Sequence, residues 1–327
     1  MNSEKYIVLY GNKKMEDILI LKKMFNKTEQ ISLGWTEVDF INNMKIINKA
    51  IKENIQQIIF WGLEIGWDKL IETVKEKNNS VKIKVICNTN DSLLYYDYER
   101  NNFFKMLELS KRKIIDKIGF FRKGQYITYK KLGYNCCLLK ENYNIELDNK
   151  INLNKTNNKY SMEIGIYPLN YTWDKNIFNQ LCIPKFIDDS NLNYNCLDPR
   201  MTDFLNTMKI KSNIDNIKEI NERSIIDLIK KNDVIISTSF TEYVHPIFFI
   251  SMELGIPCLI GNNSDFFEEN EELVDYIVTK AEDNPITNSI MVMNIVKNKK
   301  KISELYKKWK EKYNIMSKEA INLFLND

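Results

Sequence analysis

Histidine is nearly absent from this chain: there is one, His245, in 327 residues. Cysteine is sparse, and Cys87, Cys136, Cys137, Cys182, Cys196 and Cys258 never fall in a Cys-x-x-Cys pair. Their scatter, partly inside apolar runs, argues for reduced, buried thiols and against both a zinc site and a disulfide framework. Neither sign of charge dominates. The 47 basic and 44 acidic residues leave a formal charge of +3, so overall charge supports no polyanion partner, and nucleic acid is not expected. A glycine fingerprint for a dinucleotide is missing, which lowers an oxidoreductase reading. No charged-then-apolar leader opens the sequence, and no apolar run approaches the ~20 residues needed to span a bilayer. The expectation is a protein made and kept in the cytosol.

What is present is a long α/β alternation. At this length one core stops growing, so two domains of about 150 residues each are expected, and a hydrophobic content of 44% allows two cores. The first half reads as strand Tyr6–Tyr10 stopping at Gly11, helices Glu16–Phe25 and Met44–Glu53, strand Gln57–Trp61, helix Asp68–Lys77 and strand Val81–Cys87. Strand candidates Ile118–Phe121 and Asn135–Leu139 follow. This rhythm implies a largely parallel, Rossmann-like sheet covered on both faces. Between Glu146 and Lys159 Asn and Lys replace the apolar pattern, which places the linker there and the domains at 1–150 and 151–327. The second half gives strand Met162–Tyr167, helix Lys175–Cys182, and helical segments Arg200–Asn206 and Ser224–Lys231. From Lys297 to Leu325 runs a lysine-rich helical pattern with Ile302, Leu305, Tyr306, Trp309 and Tyr313 on one stripe. Its lysines form either an ordinary solvated face or a peripheral contact with an anionic membrane.

The densest information lies between Asp233 and Gly261, DVIISTSFTEYVHPIFFISMELGIPCLIG. It reads as strand Val234–Ile236, a Ser/Thr loop, a buried helix opening at Pro246, a left-handed stop at Gly255 and strand Cys258–Ile260. In such a β-loop-α-β unit a ligand sits beyond the carboxyl end of the first strand. Ser237, Ser239, Thr241 and Glu242 occupy that place.

This stretch resembles the nucleotide-binding half of GT-B glycosyltransferases, particularly the retaining family 4 type, whose pattern is Ser-x-x-Glu, seven residues, Glu-(Ala/Ser)-Met, then Gly-x-Pro. Ser239, Glu242, Ser251-Met252 and Gly255-Ile256-Pro257 fall in register. The second acidic position holds Ile250, and Glu253, three residues on, is rotated away from it. The segment GIYPLNYTWDKNIFNQL, from Gly165, resembles the family's basic phosphate-binding loop, with Lys175 in the lysine place and Asn170 where an arginine usually stands. Glu242 to Pro246 and Gly255 to Asn262 are also similar to GT-B relatives of bacterial surface-glycan or protein glycosylation clusters.

The resemblance implies two Rossmann-like domains facing a cleft, with a carboxyl-terminal helix returning to the amino-terminal domain. It implies transfer, with retention, from a nucleotide-diphosphate sugar to a glycan, lipid-linked or protein acceptor, without a metal or other cofactor. Glu242 would contact the donor sugar, Lys175 and Asn176 the diphosphate, and Ser239 and Thr241 the phosphates or the loop that holds them. In the family the second acidic residue is associated with the ribose of the nucleotide.

Each residue also has a plainer reading. Lys175 is a surface lysine, Glu242 a cap for the helix at Pro246, and His245 a loop histidine rather than a donor to phosphate or sugar. A histidine base in the amino-terminal half, as an inverting mechanism would use, is excluded because that half has none. Asn88, Asn90 and Asp91 stand at a strand end with Tyr95, Tyr96 and Tyr98 after them. They either serve an acceptor sugar or are helix caps followed by core tyrosines. Asn262, Asn263 and Ser264 either line a nucleotide pocket or form a turn. Two functions from different classes therefore stand: an active glycosyltransferase, or a catalytically impaired GT-B paralogue acting as partner or scaffold for an active one. A nucleotide-sugar epimerase on the same fold fits poorly with a single histidine.

Overall fold

The computed structural model describes residues 5–11, 21–34, 36–89, 91–142, 162–168, 173–188, 192–196, 199–209, 212–214, 222–240, 246–263, 267 and 271–326. The chain divides into two units, Met1–Tyr143 with Asn314–Asp327, and Asn144–Tyr313. The linker expected over 146–159 lies outside the described residues. So does most of the helix expected from Glu16, of which only 21–24 are described, as helix.

The first unit is built on six parallel strands, β1 (Tyr6–Tyr10), β2 (Thr28–Gln30), β3 (Gln57–Trp61), β4 (Lys82–Cys87), β5 (Lys117–Phe120) and β6 (Cys136–Leu138), in the order β2-β1-β3-β4-β5-β6. β3 is buried along its whole length, which is why its apolar run does not alternate. The helix expected from Met44 begins at Glu37, because Thr36 and Asp39 form a reciprocal capping box that satisfies the first free N–H groups. Helices Asp97–Lys111 and Lys123–Lys131 complete the cover. Neither was expected, since their apolar spacing is diluted by charged and polar residues.

The last helix, Lys299–Asn326, starts in the second unit and ends in the first. Its final carbonyls are held by two polar side chains from inside the first sheet. Lys84 Nζ, fully buried on β4, donates to the carbonyls of Phe324 and Leu325, and Gln57 Nε2 donates to Leu325 O at 2.7 Å. A buried ammonium at a helix carboxyl end satisfies carbonyls that have no helical partner and lies at the negative end of the helix dipole.

The second unit carries β7 (Glu163–Ile166), β8 (Asn193–Cys196), β9 (Ser212–Ile214), β10 (Val234–Ser237), β11 (Cys258–Gly261) and β12 (Val278–Thr279). They are again all parallel, in the order β12-β11-β10-β7-β8-β9. This is the doubly wound order in which the chain runs outward from the centre twice, in opposite directions. Helix Pro246–Glu253 is buried from Ile247 to Met252. Phe248 and Phe249 pack on Trp309, which also stacks on Tyr313 at 4.8 Å. Gly255 ends this helix region with φ +67°, the left-handed conformation expected of it. Glu272–Ile277 forms a short helix before β12, and Pro285–Lys297 a further one.

A buried polar network lies under the middle of this sheet. The Glu163 carboxylate accepts from Asn193 Nδ2 (2.9 Å) and Asn195 Nδ2 (3.1 Å). Asn195 also donates to Asn232, whose own amide donates to Tyr167 Oη at 2.8 Å. Gly165 makes the room: a Cβ there would stand 2.7 Å from Ile235 Cδ1 and 2.8 Å from Asn232 Cγ.

All six cysteines are free thiols; Cys87, Cys196 and Cys258 are buried and the other three half-buried. Burial pushes the Cys87 thiol up to about 12. Among the described residues no helix is long and apolar enough to cross a membrane.

Replacing Lys84 by Met is expected to cost about 1–3 kcal/mol, because helix-end carbonyls lose a charged donor inside the protein. Urea denaturation with hydrogen exchange over 314–326 checks this. A variant with unchanged midpoint and unchanged protection there would contradict it.

Candidate functional site

In a doubly wound sheet the crevice opens where the strand order reverses, because successive connections leave to opposite sides. In the second unit that point lies between β7 and β10, which pair directly through Val234 with Ile164 and Ile235 with Gly165. A small open crevice lies there. Tyr167, Pro168, Ile236 and Ile247 form its apolar walls, and Lys175, Gln180, Ser237 and Ser239 its polar ones. These residues come from the carboxyl ends of β7 and β10 and from the loops and helices that follow. They include Lys175 and Ser239, two of the three described residues expected to meet phosphate; the third, Asn176, is not among the lining residues.

The loop after β7 does not run straight into a helix at Lys175 as expected. Trp173–Lys175 form one 3-10 turn, Asn176 adopts the left-handed conformation (φ 54°, ψ 33°), and the helix is Ile177–Cys182. Asparagine tolerates that conformation better than most residues. Its amide is committed locally: Nδ2 donates to Thr238 O at 2.9 Å and to Glu282 O at 2.7 Å, and Oδ1 accepts from Asn179 Nδ2. Asn176 therefore ties together the loops after β7, β10 and β12. The backbone adds a second tie, Phe240 N–H to Asp174 O at 2.8 Å.

Lys175 is buried beside Asp174, with Nζ 3.6 Å from Oδ2. This pairing tempers the positive charge without removing it from the crevice wall. Gln180 Nε2 donates to Lys175 O at 2.6 Å, which fixes the helix to the loop. Gln180 Oε1 and Thr238 Oγ1 are buried with no hydrogen-bond partner among the described residues. Each such group costs about 1–3 kcal/mol until it is satisfied.

Thr241, Glu242 and His245 lie outside the described residues, as do Asn170 and Ser264. Ser239 is buried, and its carbonyl accepts from Asn263 Nδ2. Asn262 N–H donates to Glu282 Oε1 at 2.7 Å, so Asn262 and Asn263 form a turn that braces the Ser239 loop. Ile250 is buried within its helix, and Glu253 turns to the last helix, accepting from Tyr306 Oη and Lys310 Nζ. Glu282 was missed by sequence reasoning as a brace. Its only signal was its place in an acidic run before Pro285.

At the carboxyl edge of the first sheet the core-tyrosine reading is corrected. Tyr95, Tyr96 and Tyr98 are all exposed. Asp91 opens a 3-10 turn, Asp91–Tyr95, and accepts from Gln125 Nε2 at 3.0 Å, while the following helix starts at Asp97 without a side-chain cap. Asn90 lies outside the described residues. Glu64, just past β3, is buried and accepts from Tyr98 Oη; partial desolvation of the phenol first and that carboxylate second raise Tyr98 above its ordinary range. Asn88 packs against Gly62, which has φ +80° and would place a Cβ 2.6 Å from Asn88 Oδ1. Among the described residues no three His, Cys, Asp or Glu side chains gather as a metal-binding group.

No family model matches the chain, and no curated protein does. Solved structures do match, over nearly the full length. A sucrose-phosphate synthase from Thermosynechococcus elongatus aligns with TM-score 0.65 at 9% identity, covering 98% of this chain and 97% of that one. The lipopolysaccharide outer core galactosyltransferase WaaB aligns at 0.62 and 10% identity, covering 97% and 98%. A UDP-forming α,α-trehalose-phosphate synthase from Burkholderia xenovorans aligns at 0.59 and 9% identity, covering 99% of each. The fold is GT-B: two parallel-sheet α/β domains with the last helix returning to the first.

Asn176→Ala is expected to destabilise by about 1–3 kcal/mol through the lost buried bonds and the left-handed backbone. Asn176→Gly should recover only the conformational part. Thermal unfolding of both variants checks this, and an alanine variant as stable as wild type would contradict the brace.

Proposed function

We propose that this protein transfers a sugar from a nucleoside-diphosphate sugar to a glycan, lipid-linked or protein acceptor, with retention at the sugar carbon. The observation that carries the proposal is the buried Lys175 ammonium on the wall of the switch-point crevice, opposite the Ser239 loop. Loss of the donor sugar leaves a diphosphate with about two negative charges, and fixed donors in a water-poor crevice stabilise such charge far better than bulk water does. Lys175 and Ser239 hold the diphosphate, with Thr241 supporting the loop and Asn176 acting by fixing its position. Glu242 contacts the donor sugar, and His245 stands beside it. No metal or other cofactor enters this proposal. The setting is the cytoplasm of a bacterium, in assembly of a surface glycan or glycoprotein.

One observation favours a second reading, a catalytically impaired paralogue that partners an active glycosyltransferase. Ile250, an apolar and buried side chain, stands where the resembling family has its second carboxylate.

Lys175→Ala is expected to weaken binding of the preferred nucleoside diphosphate by roughly 10–100-fold, the loss of one charge-assisted contact. Glu242→Ala is expected to abolish turnover of the preferred nucleotide sugar. Calorimetry and a donor-hydrolysis panel check both. Equal turnover by wild type and Glu242→Ala would remove that residue from the mechanism, and a wild type that binds no nucleoside diphosphate would favour the partner reading.

A further inference from the structure

We infer that Trp173 and Phe240 form an aromatic clasp that stacks the nucleobase of the ligand held at Lys175; the inference rests on the nucleotide-binding reading above. Trp173 is 60% exposed and Phe240 38% exposed. Large rings at such exposure are tolerated singly, but two brought together on loops beside a polar crevice mark a binding surface. They come from separate loops. Trp173 stands two residues before Lys175 in the loop after β7, and Phe240 directly follows Ser239 in the loop after β10. The Phe240 N–H bond to Asp174 O holds one loop against the other, and the ring centroids lie 6.5 Å apart with planes inclined by 32°.

That geometry selects the occupant. The two rings are tilted by 32° rather than crossed at right angles, so a flat conjugated ring can lie along one face and edge onto the other. A puckered pyranose, with hydroxyls above and below its mean plane, meets such faces less completely. Stacking on aromatic side chains is tolerant of base identity because every base has a π-face. The clasp therefore supplies affinity for the nucleoside part, and the phosphates remain with Lys175. The remaining described tryptophans, Trp61, Trp67 and Trp309, are buried, so Trp173 is the indole among them placed to report a stacked base.

The test uses the full chain and four probes: inorganic pyrophosphate, glucose 1-phosphate, UDP and GDP. For wild type, UDP or GDP is expected to quench tryptophan fluorescence, whereas pyrophosphate does not. Trp173→Ala and Phe240→Ala are expected to weaken the better-binding diphosphate roughly ten-fold while leaving pyrophosphate affinity unchanged, and Trp173→Phe to restore most of the loss. Equal nucleotide affinity in Trp173→Ala and wild type overturns the clasp. So does a parallel loss for pyrophosphate, which would mean a damaged loop, or a loss confined to glucose 1-phosphate, which would mean that the rings hold the sugar. If wild type binds pyrophosphate but neither nucleotide, it is the nucleotide reading that fails, and the clasp falls with it.

Discussion

The account depends on the direct pairing of β7 with β10. Because the chain leaves β7 toward β8 on one side and β10 toward β11 on the other, the two loops at their carboxyl ends cannot cover each other's strands, and a crevice must open between them. The pairing needs Gly165, since a methyl group there would collide with Ile235, Tyr167 and Asn232. It also needs the Glu163–Asn195–Asn232–Tyr167 network beneath it. A buried carboxylate is stable only when its lone pairs are met, and here asparagine amides meet them.

On that base the loops are locked by few, specific bonds. Asn176 joins three of them through one amide, Asp174 and Phe240 join two through the backbone, and Glu282 with Asn263 holds the far side. The helix Pro246–Glu253 below is fixed by the aromatic cluster around Trp309. The crevice thus has a lysine on its wall and, among the described residues, one lining oxygen without a partner, Gln180 Oε1, an arrangement that favours a polar ligand.

Much of this was legible in the sequence, and the exceptions have physical causes. β1 and β3 fall on their expected residues, and the β10-loop-helix-β11 unit around Pro246 and Gly255 is as read, because apolar runs, a proline start and a glycine stop all signal the same thing. β8, Asn-Tyr-Asn-Cys, was invisible because its four residues carry no hydrophobic period, and one of its three buried residues is an asparagine, Asn195; the distant Glu163 and Asn232 meet that amide. Asn176 was read as the opening of a helix, whereas its left-handed backbone is set by partners more than sixty positions away. Lys175 and Ser239, singled out by their motif positions, line one crevice, but Trp173, Gln180 and Glu282 have no motif to mark them. Their roles arise from which loops the sheet order brings together.

The most direct test of the central claim is a crystal structure of the chain with a bound nucleoside diphosphate. The account predicts the two phosphates at the carboxyl ends of β7 and β10, within hydrogen-bond distance of Lys175 Nζ and the Ser239 loop. A diphosphate bound elsewhere on the protein, with the β7–β10 crevice closed over by its own side chains, would contradict it.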